Sequence, residues 1–278
     1  MSRLHSLLAA LILWLGAGLA VEAGEMDAVL MIPADGVVRT YTRSALLASP
    51  ARTTITIAPD PVYGRTMRYE AVPIALLLKE TVLGPEDHVQ VRAVDGFSVS
   101  IPVRLLRGDD PQAFLAIEPP DAPWPVLPVE TQTTSAGPFY LVWAKTRPGL
   151  VGSEYWAYRV AMLSVVKSPT ARWPQLAVAT GVPETSPIRR GLERFVEICM
   201  ACHRFDGAGE AEMGPDLARP MNPVAYFQPA ALKAYLRDPG ALRTWPERRM
   251  PAFDKADLSD EDIGAIIAWL AYKAEPKP

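Results

Sequence analysis

The sequence predicts two domains, a mostly β unit of the α+β class followed by an all-α unit. Three observations carry this expectation. The chain has 278 residues, and a domain takes roughly 100–200, so two units fit the length. Between Asp27 and Lys167, short runs of β-branched and aromatic residues alternate with turn residues. From Ile188 onward, apolar residues recur at helical spacing instead. The stretch 169–187 separates the two patterns, with Pro169, Pro174, Pro183 and Pro187 and little periodicity, which is linker composition. The expected units are therefore 24–168 and 188–278.

The elements follow in order. Strands are predicted at Ala28–Ile32, Thr53–Ala58, His88–Ala93, Phe97–Ile101, Phe139–Ala144 and Ala157–Val166. Asp95-Gly96, between two of these runs, reads as a hairpin turn. A short helix is expected over Val72–Thr81, with Pro73 in its first turn and Leu76, Leu77 and Leu78 on a buried side. Near the C-terminus, Ser259 is a helix N-cap, and Asp260, Glu261 and Asp262 suit the positive helix end. Ile263, Ile266, Ile267 and Leu270 form the apolar stripe of that helix.

Ahead of both units, Arg3 precedes an uncharged run from Leu7 to Val21, followed by Val21 and Ala23 at positions suited to cleavage before Gly24. That order is expected of a secretory signal peptide over residues 1–23. The run is shorter than the roughly 20 residues that cross a bilayer comfortably, with an uncleaved anchor as the rival reading. No later segment is apolar enough to cross a membrane. The mature chain is expected to be exported and periplasmic, with no membrane span.

Charge and cysteine content narrow the function. The formal charge of −3 argues against a nucleic-acid binder. The 2 cysteines, Cys199 and Cys202, cannot build a disulfide framework, a four-cysteine zinc site or a cysteine-ligated iron–sulfur cluster. The 3 histidines, His5, His88 and His203, are too few for a multi-histidine metal centre. Cys199-Met200-Ala201-Cys202-His203 is the C-x-x-C-H signature of covalent c-type haem attachment. Two thiols on one turn can add to two porphyrin vinyl groups, and the next residue then offers imidazole to the iron. A thioredoxin-like redox pair is the alternative. It lacks support, because the motif has no βαβ context and the leader directs the chain to where haem is attached.

One covalent haem with His203 as a ligand needs a sixth ligand. His88 belongs to the β unit. Met213 and Met221 lie 10 and 18 residues beyond His203, too close to pass easily around a porphyrin edge. Met250 lies 47 residues beyond it, stiffened by Pro251, and is the expected second metal ligand. Arg248 and Arg249 could face haem propionates, steer an acidic partner or be simple solvated charges.

Residues 188–275 resemble the class I cytochrome c family. Gly191 to Phe195 is similar to its first helix, Gly214-Pro215-Asp216-Leu217 to its proximal loop, and Leu232 to Pro239 to its middle helix before the methionine loop. The resemblance implies that the Pro215 carbonyl accepts the Nδ1 proton of His203. It also implies that the first and last helices cross near Gly191 and Phe195, with Trp269 as the aromatic opposite. Because ligands and packing aromatics all lie in this segment, it is expected to fold with haem by itself.

The first unit resembles the sulfite-oxidase-like molybdopterin-binding fold. The resemblance rests on Tyr69 to Leu78, Val89 to Phe97, Ser100 to Pro102, Ala113 to Glu118 and Ala136 to Trp143. That family holds molybdenum through a cysteine in the segment aligned with Thr53–Pro61, and this chain has none there. The expectation is a scaffold without molybdenum cofactor, with Arg65, Arg68, Arg104 and Arg107 as solvated charges rather than an anion site. Three functions then compete. The first is an electron-transfer protein or subunit serving a periplasmic redox protein or dehydrogenase, with the first unit as docking scaffold. The second is an oxidoreductase whose first unit binds a molybdopterin-type cofactor or a small substrate and passes electrons to haem. The third is a haem-based sensor. The sequence specifies no oligomeric state.

Overall fold

The computed structural model describes residues 27–34, 36–85, 87–128, 133–146, 150–244 and 250–275. The expected leader over residues 1–23, together with Arg248 and Arg249, lies outside them. Nine strands occur among the described residues: β1 (Val29–Ala34), β2 (Val37–Thr42), β3 (Thr53–Ile57), β4 (Met67–Pro73), β5 (Asp87–Ala93), β6 (Ser98–Pro102), β7 (Gln112–Ile117), β8 (Phe139–Ala144) and β9 (Val160–Lys167). They form two sheets, ordered β2-β1-β9-β5-β6 and β3-β4-β7-β8. All pairings are antiparallel except β1 with β9, which meet at Met31 and Met162.

The core of this sheet-rich unit is continuous. Leu30, Ile32, Val89, Val91 and Ile101 of one sheet belong to the same fully buried cluster as Leu115, Ile117, Tyr140 and Leu141 of the other. Asp95-Gly96 turns the chain between β5 and β6. Gly96 supplies the positive φ of +91° that a side chain would strain, and Asp95 Oδ1 accepts the Phe97 amide at 3.2 Å.

Two expectations change at this level. The helix expected over Val72–Thr81 is only Ile74–Leu77, because Val72 and Pro73 remain in β4, opposite Leu115 and Phe114. Pro73 is extended, at ψ 131°, and stands at the N-cap instead of the first turn. Strand pairing with β7 outweighs the local helix signal. The run Ala157–Val166 is divided in two. Tyr158 bridges to Tyr140 of β8, Arg159 takes a φ of +56°, and only Val160–Lys167 joins the other sheet. The residue that redirects the chain from one sheet to the other also hides the strand's true start.

The C-terminal unit is helical. Its first helix is Pro187–Glu197, capped by Ser186 with proline at the first position. Shorter helices follow at Pro223–Tyr226, Pro229–Arg237 and Pro239–Leu242, and Asp260–Ala274 closes the unit. Ser259 and Asp262 form a complete capping box on that last helix. Of its expected stripe, Ile263, Ile266 and Leu270 are buried with Trp269, whereas Ile267 is half-buried. The first and last helices cross at Gly191, where a Cβ would overlap the Ala265 carbonyl and come within 2.8 Å of Trp269 Cβ. The rings of Phe195 and Trp269 lie 4.4 Å apart at this crossing.

The proline-rich stretch 169–187 is a packed strap. It carries the short helices Pro169–Arg172 and Pro174–Leu176, and Leu176 is fully buried in the helical core. The Lys273 ammonium donates to the carbonyls of Gln175 and Ala177 at 2.7 and 2.5 Å. Proline density suggests non-periodic chain, whereas the structure gives the stretch two short helices and side-chain anchors on the helical unit.

Candidate functional site

The C-x-x-C-H segment begins where the first helix ends. Cys199, Met200 and Ala201 form one 3-10 turn, and the amides of Cys202 and His203 both return to the Cys199 carbonyl, at 3.1 and 2.9 Å. This turn sends the two intervening residues in different directions. Met200 enters the core of the helical unit, and Ala201 enters the core of the sheet unit. Cys199, Cys202 and His203 are left to line one cavity of about 500 Å³. That volume lies in the range of cofactor pockets, about 300–1,000 Å³.

The remaining wall is mostly apolar. Phe195, Ile198, Leu232, Leu236, Ile266 and Leu270 line it, and Met250 and Pro215 also reach it. The cavity therefore brings together all five residues singled out from sequence. Met213 lines it too, with its sulfur 4.0 Å from the Cys202 sulfur. Met221 is 53% exposed and is not part of the wall. His88 pairs with Ser100 on the first sheet instead.

The electrostatics argue against an activated redox pair. Burial, reinforced by the charge of Glu154, pushes both cysteine thiols up to about 12. Reactive C-x-x-C thiols are activated in the opposite direction. Burial also pulls the His203 imidazole below its usual value, against the hydrogen bond to Pro215. Nδ1 lies 2.8 Å from the Pro215 carbonyl. A neutral ring donating from Nδ1 keeps its Nε2 lone pair for a metal. Gly214 permits this arrangement, since a Cβ there would lie 2.6 Å from His203 Nδ1. The Gly214 amide in turn bonds the Cys202 carbonyl at 2.8 Å. Two thiols, an imidazole and a thioether around an apolar cavity are a donor set that fits haem iron and its porphyrin.

A family model described as cytochrome C oxidase, cbb3-type, subunit III matches residues 186–270. These residues form a cytochrome c domain. The domain is a haem protein module for electron transfer. No curated protein matches the chain. The cytochrome c domain is joined to the sheet unit by more than the strap. The Glu212 amide donates to the Gly96 carbonyl at 3.2 Å, Arg92 pairs with Glu210 at 2.9 Å, and Arg172 reaches both Glu210 and Gln90. The partner-facing side of β5 and β6 thus carries buried Gln90, Ser98 and Ser100.

One wall residue had no sequence signal. Glu154, from the 3-10 turn Ser153–Tyr155 of the sheet unit, lines the cavity of the cytochrome c domain. Nothing local marks it, because its relevance arises only when the two units pack. Tyr226, Phe227 and Tyr235 also line the cavity, with successive ring centroids 4.9 and 5.2 Å apart. Their spacing across two short helices is likewise unreadable from one periodic run.

The segment Thr53–Pro61 of the sheet unit carries a buried carboxylate. Asp60 is fully buried there, accepting from the amides of Val62 and Tyr63 at 2.9 Å each and from the hydroxyl of Tyr69 at 2.8 Å. Tyr140 adds a longer contact at 3.4 Å. Its oxygens are engaged in holding the fold together. Arg65, Arg68, Arg104 and Arg107 are all exposed. No described helix is long and apolar enough to cross a membrane.

Proposed function

We propose that this protein is an exported c-type cytochrome with one covalent haem, attached through Cys199 and Cys202 and ligated by His203 and Met250. In this reading it exchanges single electrons with a periplasmic redox protein or dehydrogenase. The observation that carries the reading is the His203–Pro215 hydrogen bond at the edge of an apolar cavity that Met250 also lines. Bound haem supplies one-electron chemistry there. The chain's own residues do the rest. Pro215 fixes the imidazole tautomer, and Gly214 lets the ring lie against the loop. Leu232, Leu236, Ile266 and Leu270 exclude water, and Pro251 stiffens the backbone beside Met250.

The sheet-rich unit fits best as a sulfite-oxidase-like scaffold without molybdenum. The support is that the segment Thr53–Pro61, which the resemblance aligns with the ligating cysteine, holds no cysteine, and that its buried carboxylate, Asp60, is engaged by protein donors. Were His203 and Met250 both to hold the iron, no position would be left for a gas ligand, which favours electron exchange over gas sensing. Met250→Ala tests the ligand assignment. The variant should keep haem covalently bound while the low-spin methionine-ligated spectrum is lost. An unchanged ferric sulfur-to-iron charge-transfer band would remove Met250 from the site.

A further inference from the structure

We propose that the sheet-rich unit is an integral wall of the haem site and that Glu154, which it contributes, is an electrostatic determinant of the haem potential. The inference rests on the haem reading above and names a residue outside the cytochrome c domain. Three observations on the structure converge on it.

The first is position. Glu154 lines the same cavity as Cys199, Cys202 and His203, and its charge acts on both thiols. It is half-buried, and among the described residues no hydrogen bond or ion pair reaches its carboxyl group. Arg194, the cation on the Cys199 side, is engaged with Glu197, Asp262 and the Asp257 carbonyl. The carboxyl group is therefore not neutralised by a protein partner.

The second is that the wall is fixed. Gly152, two residues before Glu154, lies so close to Glu197 of the first helix that a Cβ would come within 2.5 Å of its carboxylate. On the other side, the Gly96 carbonyl holds the Glu212 amide, and Arg92 and Arg172 both grip Glu210. Glu210 and Glu212 lead directly into Met213, Gly214 and Pro215 of the proximal loop. The same surface that presents Glu154 thus also anchors the loop that orients His203.

The third is the local medium. Burial and the neighbouring Asp257 push the Glu154 carboxyl up to about 7. A group so sensitive to its surroundings lies in a medium where charge acts strongly. At pH 8.5 it is a carboxylate. A negative charge in the wall favours ferric over ferrous iron and so lowers the potential.

The experiment uses the full chain, matured with haem, as wild type, E154Q and E154D. Each is first checked for covalent haem by staining after denaturation and for its low-spin spectrum. Each is then titrated potentiometrically at pH 8.5. E154Q should raise the ratio of reduced to oxidised protein at fixed ambient potential about tenfold, a shift of about 59 mV for one electron. E154D keeps the charge and should stay within about twofold of wild type. Glu154→Met, uncharged and similar in length, must shift the potential in the same direction as E154Q and serves if E154Q misfolds. An unchanged potential in the neutral variants, with haem and ligation intact, overturns the inference and leaves the haem reading standing. A shift in E154D as large as in E154Q overturns it as well, because the role would then be packing. A wild-type chain without covalent haem overturns both.

Discussion

The two units solve the problem of a core differently. In the sheet-rich unit, side chains from both sheets close on one another. Leu30, Ile32, Leu115, Tyr140 and Leu141 have no exposure, and Asp60, a carboxylate with no exposure either, is met by protein donors. The helical unit closes tightly where its first and last helices cross, at Gly191, Phe195 and Trp269. Elsewhere Leu232, Leu236, Ile266 and Leu270 face a cavity of about 500 Å³. Apolar walls of that extent suit the apolar body of a porphyrin. The first core is closed by its own sheets together with Ala201 of the C-x-x-C-H turn, whereas the second, in the reading proposed above, depends on haem.

The largest effect should come from breaking that dependence. The double variant Cys199→Ala/Cys202→Ala should lose haem staining entirely. Calorimetry should then retain the unfolding transition of the sheet unit and lose that of the helical unit. Gly191→Val should cost about 3 kcal/mol, since the Ala265 carbonyl and Trp269 leave no room for branching. A lower temperature at which the low-spin haem spectrum is lost reads that cost. Asp60→Ala leaves two amides and the Tyr69 hydroxyl without their buried acceptor, at about 3 kcal/mol in total. Denaturant unfolding followed by tryptophan fluorescence should show it, while the haem spectrum stays unchanged.

A smaller effect separates the strap from a free linker. A fragment beginning at Ser168 should melt higher than one beginning at Thr185, because only the first retains buried Leu176, worth about 2 kcal/mol. Equal melting temperatures would return the stretch to linker status. Ser259→Ala should cost about 1 kcal/mol by opening the capping box. The same box has a pH signature. Burial alone would raise the Asp262 carboxyl, but the Ser259 hydroxyl and Arg190 hold it below the ordinary carboxylate value. Its contribution is fully present above about pH 5 and fades as pH falls through that lowered value. Acid titration of wild type against Asp262→Asn should converge at low pH.

What could be read from sequence was what local chemistry dictates. C-x-x-C-H, the Met250-Pro251 pair, the Asp95-Gly96 turn and the Ser259 cap each announce themselves within five residues. Phe139–Ala144 reads as a strand because five consecutive large apolar residues, Phe139 to Trp143, buried on both faces, need no partner to be recognised. Pro73 misleads because an isolated proline suits a helix start as well as a strand end, and the β7 partner that decides lies far along the chain. The strap misleads because four prolines mask one anchoring leucine. Glu154 is unreadable in principle, since it acquires meaning only from the docking of one unit on the other.

The central claim is that the helical unit is completed by a single covalent haem. Intact mass measurement of the matured protein after denaturation tests it most directly. The account predicts the mass of the polypeptide plus one haem, with no free thiol at Cys199 or Cys202. An unmodified chain with both thiols open to alkylation would contradict it.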